Sequence, residues 1–339
     1  MTQRDTNPYE YSDSNKRYMT YDWYMKRRFG GKVAKVPLDI GCTCPNIDGT
    51  RAYGGCVYCK EGSRSLSAVG ETLAEQYARG VAVACRKWKP LGFIPYLQSH
   101  TNTYGEAEHL RGKYAEAAAL PDALMLDIAT RADCLPAEII SALVKTAEMI
   151  PLTVELGLQT SDDRTADIIN RGHTFAEFCD GYVRLKAASD EVNDRFPTDD
   201  SLAKRFTLCV HIINGLPGEG AKEMMKTARD VAALHPDMVK IHLLHILSGT
   251  RLARMYERGE CTTMTREEYV NTVCDQIEIL PPDTVIARTT GDGVADDLIA
   301  PEWSRRKTEV ANEIDKELYR RGTYQGIKYS AETGRAKNL

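Results

Sequence analysis

No apolar run in this 339-residue chain approaches the ~18 residues a membrane-spanning helix needs, and the opening MTQRDTNPYEYSD lacks the apolar core of a secretory signal. A large charge excess is also missing. Lysine and arginine total 44 against 48 acidic residues, leaving a formal charge of −4. That balance excludes whole-surface attraction to nucleic acid but permits a local basic patch. Lys26-Arg27-Arg28 is the best candidate for one, the plainer reading being a solvated arm. Six of the ten cysteines (Cys85, Cys134, Cys179, Cys209, Cys261 and Cys274) lack ligand-type spacing and read as buried structural thiols. These absences point to a cytoplasmic protein with reduced thiols. With 42% hydrophobic and 27% charged residues, the composition is that of an ordinary globular enzyme of one large or two smaller domains.

The other four cysteines cluster. Cys44, Cys56 and Cys59 are spaced C-x11-C-x2-C, and Cys42 stands two residues upstream. Gly54-Gly55 permits a tight turn before the CxxC, because glycine tolerates positive φ. Thiolates on one loop are ligands for a soft metal centre. All four could close around zinc. Three would leave one iron of a [4Fe–4S] cluster open.

Short apolar runs alternate with amphipathic helices. The spacing predicts six strands, over Val33–Ile40, Phe93–Gln98, Leu124–Ala129, Leu152–Leu158, Thr207–Ile213 and Val239–Leu244. Their near-continuous apolar character is that of strands buried on both faces. Helical periodicity marks Pro136–Ile150 and Ala221–Leu234. Such βα repeats imply an α/β fold with a parallel sheet, either an open partial barrel or a doubly wound sheet, with reactive groups at the C-terminal strand ends. The cysteine loop follows the first strand and therefore falls at that end. The domain plan is a tyrosine-rich arm over 1–30, a core over 31–247, a helical C-terminal subdomain over 248–327 that includes a short strand at Thr284–Arg288, and a polar tail over 328–339. Asp190–Lys204 reads as a polar surface insertion.

The wide cysteine spacing before βα units resembles the radical S-adenosylmethionine (SAM) superfamily, in its Elp3-like branch. CPNIDGT with GGCVYC, then QSHTNTY, ATRADCL, ELGLQT, INRGH, GLPGE, IHLLHILSGTRL and RTTGDG with IAPEW resemble, in order, the landmarks of the YhcC/YtqA-like family. They run from about residue 29 to 325. The resemblance implies a partial (β/α)6 TIM-type barrel with a helical C-terminal extension. It also implies a [4Fe–4S] cluster on Cys44, Cys56 and Cys59, with SAM on the fourth iron and reduced to a 5′-deoxyadenosyl radical. Cys42 departs from the family pattern, since relatives usually carry a non-ligand residue there.

Further assignments follow from the same resemblance. Ser99, Thr101 and Asn102 fall where the superfamily meets the SAM amino group, although a polar strand-end turn would look the same. Gly215 and Gly218 of GLPGE fall near the adenine, or form a simple strand-to-helix turn. Glu155 is a carboxylate within an apolar strand, costly to bury without a partner. Placement in the barrel interior near SAM would supply one, and Gln159 faces the same side. Arg131 and Asp133 either hold substrate or SAM or pair with each other. His211, His242 and His245 read first as core histidines, His245 being the better substrate-site candidate, and parity forbids His242 and His245 one strand face. Arg288, Asp292 and Trp303 belong to the last landmark and could close the pocket. The branch suggests transfer RNA as substrate, at a wobble-uridine side chain, with an electron donor such as flavodoxin or ferredoxin. The alternatives are a small metabolite or peptide substrate, or a zinc-binding module using Cys42, Cys44, Cys56 and Cys59.

Overall fold

A computed structural model describes residues 7–60, 70–291 and 296–330. The chain runs α1 (Tyr21–Phe29), β1 (Val33–Leu38), α2 (Leu73–Lys87), β2 (Gly92–Leu97), α3 (Ala107–Ala118), β3 (Leu126–Thr130), α4 (Ala137–Met149) and β4 (Leu152–Gln159). It continues through α5 (Asp163–Ile168), α6 (Phe175–Arg195), β5 (Phe206–Asn214), α7 (Ala221–Leu234) and β6 (Met238–Leu243). Then follow β7 (Ile246–Leu247), α8 (Arg251–Glu257), α9 (Arg266–Ile279), β8 (Val285–Arg288), β9 (Leu298–Ala300) and α10 (Lys307–Arg320). Capping boxes start several helices: Thr72 with Glu75, Thr174 with Glu177 and Thr265 with Glu268 each satisfy backbone N–H groups that lack an intrahelical partner.

One parallel sheet takes the order β1-β2-β3-β4-β5-β6-β8. All six expected strands form. The seventh, β8, comes from the segment assigned to the C-terminal extension and pairs with β6, Met238 opposite Val285. Its four residues are too short to announce a sheet position, and β7, α8 and α9 break the βα rhythm before it.

The sheet is curled, as a partial barrel requires. Strands lie about 4.8 Å apart, so a flat sheet would hold β1 about 14 Å from β4. Yet Lys35 of β1 and Lys240 of β6 both reach Glu155 of β4, at 2.8 and 2.5 Å. The outer face is covered by α2, α3, α4, α6, α7, α9 and α10, whose buried residues share the main core with the strands. On β1, Ala34, Val36 and Leu38 are buried in the main core, whereas Val33, Lys35 and Pro37 are half-buried along the inner face. This inner face bounds a lumen.

The N-terminal arm plugs the lumen where the strands begin. Tyr9, Met19, Tyr24 and Met25 pack against Ile94, Met125, Cys209, Met238 and Val285, and the Ile286 N–H donates to the Met19 carbonyl at 2.8 Å. The basic tract is spent at this closed end. Lys26 pairs with Asp22 at 2.7 Å and Arg27 with Asp200 at 2.5 Å, while Arg28 donates to the Lys204 carbonyl at 2.7 Å. Gln325 ties the C-terminal segment to the arm, accepting from the Met19 N–H at 2.9 Å. The expected insertion at Asp190–Lys204 is shorter than the sequence suggests. Residues 190–195 complete α6, because Leu185, Ser189 and Val192 keep a buried stripe at helical spacing.

Candidate functional site

The loop after β1 carries the cysteines at the open end of the barrel. Its turns close on themselves: the Ile47 N–H donates to the Cys44 carbonyl at 2.8 Å, and the Gly55 N–H to the Asn46 carbonyl at 2.8 Å. Gly54 and Gly55 take φ of 72° and 71°, a conformation that any side chain would strain.

Residues 169–173, INRGH, clasp this loop. Val57 N–H donates to the Ile169 carbonyl at 3.0 Å, and the Asn170 amide donates to the carbonyls of Tyr53 and Gly55 at 3.1 and 2.7 Å. In return, Asn46 donates to the carbonyls of Asn170 and Arg171 at 2.7 and 2.6 Å. Arg171, 1% exposed, braces the clasp by donating to the carbonyls of Leu158 and His173, both at 2.7 Å. The motif stood out in the sequence only as a landmark. A positive φ at Asn170 (54°) and Gly172 (76°) lies behind its Asn and Gly, and those residue types were the available signal.

Cys44, Cys56 and Cys59 share one electrostatic field. A hydrogen bond from the Cys59 thiol pulls the Cys56 thiol down, against burial, with help from Tyr58, the Arg131 charge and Asn46. That same bond, first of all, pushes Cys59 up, together with the charges of Cys56 and Cys44. Cys42 lies apart. Burial, then the charge of Asp39, pushes its thiol up to about 11, and it packs against the helix-covered core. Four thiolates on one tetrahedral zinc, each about 2.3 Å from the metal, would bring their sulfurs within about 3.8 Å of one another. Among the described residues the group of three possible ligands converging within 4.8 Å is Glu155, Cys209 and His211, not the cysteine loop. The ammonium groups of Lys35 and Lys240 already occupy that group.

The segment holding Ser99, Thr101 and Asn102 adjoins the cysteine loop, because the Thr101 N–H donates to the Thr43 carbonyl at 3.2 Å. Asn102 is fully buried and its amide donates to the carbonyls of Leu97 and Ala129, both at 2.9 Å, linking β2 to β3. Its Oδ1 is buried without a partner. Gln159 ends β4 at φ 69°, beyond a register shift opposite β5. Gly215 and Gly218 take φ of 84° and 85°, and a Cβ would lie 3.1 Å from Met264 at the first and 3.1 Å from Ile168 at the second. Beside them, burial pushes the Glu219 carboxyl up to about 7, against the hydroxyls of Thr160 and Thr165.

Glu155 sits deeper, on the lumen floor. It accepts from Lys35 at 2.8 Å, Tyr96 at 2.6 Å, Lys240 at 2.5 Å and His211 at 3.0 Å. Burial pushes its carboxyl up, but Lys240, Lys35 and His211 outweigh this and hold it well below the usual range. Burial and Lys240 lower His211 to about 4, so its ring is neutral near pH 7. The His242 ring lies beside it, tilted by 42° with ring centroids 5.3 Å apart, and its Nε2 is buried and unpartnered. His242 and His245 do approach one place. A Cβ at Gly291 would lie 2.9 Å from the His245 ring and 3.6 Å from His242, since β6 ends at Leu243 and strand parity stops applying. Lys35 and His211 keep 22% and 16% of their side chains exposed, so the lumen is accessible to solvent.

Arg131 and Asp133 pair with each other through two bonds of 2.9 Å, and Arg131 also donates to the Arg171 carbonyl at 2.7 Å. Trp303 donates to the Met264 carbonyl at 3.1 Å and packs on Tyr269. Arg288 ends β8, and Asp292 lies outside the described residues.

Residues 236–320 match the Radical_SAM C-terminal domain. The chain is 42% identical to uncharacterized protein YtqA of Bacillus subtilis, over 94% of this chain and 95% of the relative. It is 32% identical to protein YhcC of Escherichia coli, over 88% and 91%. A shorter match, 29% identical over 38% of this chain and 21% of the relative, is to the tRNA uridine(34) acetyltransferase of Methanocaldococcus jannaschii. The fold resembles that of Elp3 from Methanocaldococcus infernus, with a TM-score of 0.59 and 18% identity, over 86% of this chain and 64% of that one. No helix among the described residues is long and apolar enough to cross a membrane. A curled parallel sheet with a cysteine loop at its open end, and near-full-length relatives at these identities, make the chain a radical SAM enzyme of the YhcC/YtqA-like family.

Proposed function

We propose that Cys44, Cys56 and Cys59 hold a [4Fe–4S] cluster with SAM beside it, and that the enzyme modifies a wobble-uridine side chain of transfer RNA. The observation that carries the cluster reading is the common field of these three thiols, with Cys42 turned into the helix-covered core. When bound, the cluster and SAM supply a reductively generated carbon radical able to abstract hydrogen. The chain's own residues position and exclude. Asn102 Oδ1 is a buried acceptor lacking a donor, suited with Ser99 and Thr101 to the SAM ammonium. Gln159 at the end of β4, and Gly215 and Gly218 beyond β5, take positive φ at the open end of the barrel. Glu155 acts by holding Lys35, Lys240 and His211 toward the lumen. Cys59 is exposed, which offers an electron from a cytoplasmic flavodoxin or ferredoxin a short path.

The transfer-RNA substrate is supported by the partial match to the tRNA uridine(34) acetyltransferase. A second reading, a small metabolite or peptide, is favoured by the basic tract, whose charges are neutralised at the closed end of the barrel. Anaerobic purification should yield brown protein that forms 5′-deoxyadenosine on reduction. Colourless protein with one tightly bound zinc would refute the cluster. Salt-sensitive transfer-RNA binding, with a nucleoside altered in cells lacking the protein, separates the two substrates. Absent binding at low salt eliminates the RNA.

A further inference from the structure

We infer that Asn46 donates a hydrogen bond to the sulfur of Cys56 and thereby raises the reduction potential of the cluster held there. The inference rests on the cluster reading above. Asn46 is fully buried, and its Nδ2 lies 2.7 Å from the Asn170 carbonyl and 2.6 Å from that of Arg171. Carbonyls only accept, so this contact orients the amide nitrogen, not its oxygen, toward the clasp. The same nitrogen lies 3.6 Å from Cys56 Sγ.

Two N–H groups then face three acceptors. The Arg171 carbonyl has a second donor, Arg131 at 2.7 Å, so one Asn46 hydrogen is released for the sulfur. The Asn46 Oδ1 rests against Gly172, where a Cβ would stand 2.2 Å away, and has no partner of its own. The side chain is thus seated by the glycine and aimed by the carbonyls. A donor to a ligand sulfur favours the more negative, reduced cluster, and hydrogen bonds to the sulfurs are among the determinants of cluster potential. Asn46 is a positioning residue in this sense, since it acts through Cys56.

The test compares the full chain with Asn46→Leu, both reconstituted anaerobically. Iron per chain, the potential monitored by electron paramagnetic resonance, and the exchangeable-proton couplings of the reduced cluster are recorded. Asn46→Leu should keep the parent's iron, shift to a more negative potential and lose one exchangeable-proton coupling. Gly172→Ala, which crowds Asn46 from the other side, should shift the potential in the same direction. Full iron with an unchanged potential in Asn46→Leu would overturn the inference. So would a folded Asn46→Leu that holds no iron, because Asn46 would then only brace the loop. A parent chain without iron would overturn the cluster reading as well, which distinguishes that failure from the other two.

Discussion

Around Glu155 both carboxylate oxygens are taken by the chain itself, through two ammonium groups, a phenol and an imidazole. Around Cys56 it is the backbone that is tied down, by Asn46, Asn170 and Val57, while the Cys59 thiol hydrogen-bonds to the Cys56 sulfur. Both regions are polar, and the cysteine loop is the more exposed of the two. One has its charges matched. The other sets one thiol that is pulled down, Cys56, against one that is pushed up, Cys59. Polar groups saturated from within hold a structure in place, whereas perturbed thiols gathered on one loop mark a candidate ligand site.

Four sets of substitutions would break or sharpen this contrast. The largest effect is expected at the thiols. Cys56→Ala, Cys59→Ala or Cys44→Ala should drop bound iron from about four per chain to near zero, read by metal analysis. An undiminished cluster in Cys44→Ala would show that another residue supplies the first ligand.

Next comes the saturated site. Glu155→Gln leaves the buried Lys240 ammonium without its carboxylate, while Lys35 keeps Asp127, and should cost about 3–5 kcal/mol in urea denaturation. Adding Lys240→Met should recover part of that loss, and a doubly substituted chain no more stable than the single variant would contradict the pairing.

A smaller effect separates the two buried carboxyls, since Glu155 is held ionised while Glu219 is pushed up to about 7. Burial makes the folded chain prefer protonated Glu219. Its contribution is therefore full below the unfolded value of about 4.3, declines through the window and is lost as pH rises through about 7. Comparison with Glu219→Gln should show the parent losing about 1–3 kcal/mol across that window relative to the variant. Parallel stability curves from pH 4 to 8 would remove Glu219 from the account.

The smallest change is expected at Cys42→Ala, which should keep the iron and cost about 1 kcal/mol in thermal or urea unfolding. Loss of iron there would make Cys42 a ligand and dissolve the distinction drawn between it and its neighbours.

Much of the architecture was legible in the sequence. Buried strands such as β4 and β5 wrote themselves as apolar runs, and the cysteine spacing marked the loop. β8 was harder to place, because four residues separated from β6 by two helices carry no periodic signal for a sheet partner. Glu155 was legible as a buried carboxylate in need of partners. Lys35 and Lys240 were not legible as those partners, since they lie 120 and 85 residues away and meet it only across the curl of the sheet. The basic tract misled for the reverse reason: its acid partner Asp200 is 173 residues distant, so the charges looked free.

By itself, the sequence determined the βα order and the position of the thiols after the first strand, because these follow from local periodicity and spacing, and its ordered landmarks carried the resemblance to the family. Only the tertiary structure decided that Cys42 packs against the helix-covered core, that INRGH clasps the cysteine loop, and that Glu155 is satisfied from within. Each of those depends on side chains from distant strands converging, and their meeting is set by how far the sheet curls rather than by any local pattern.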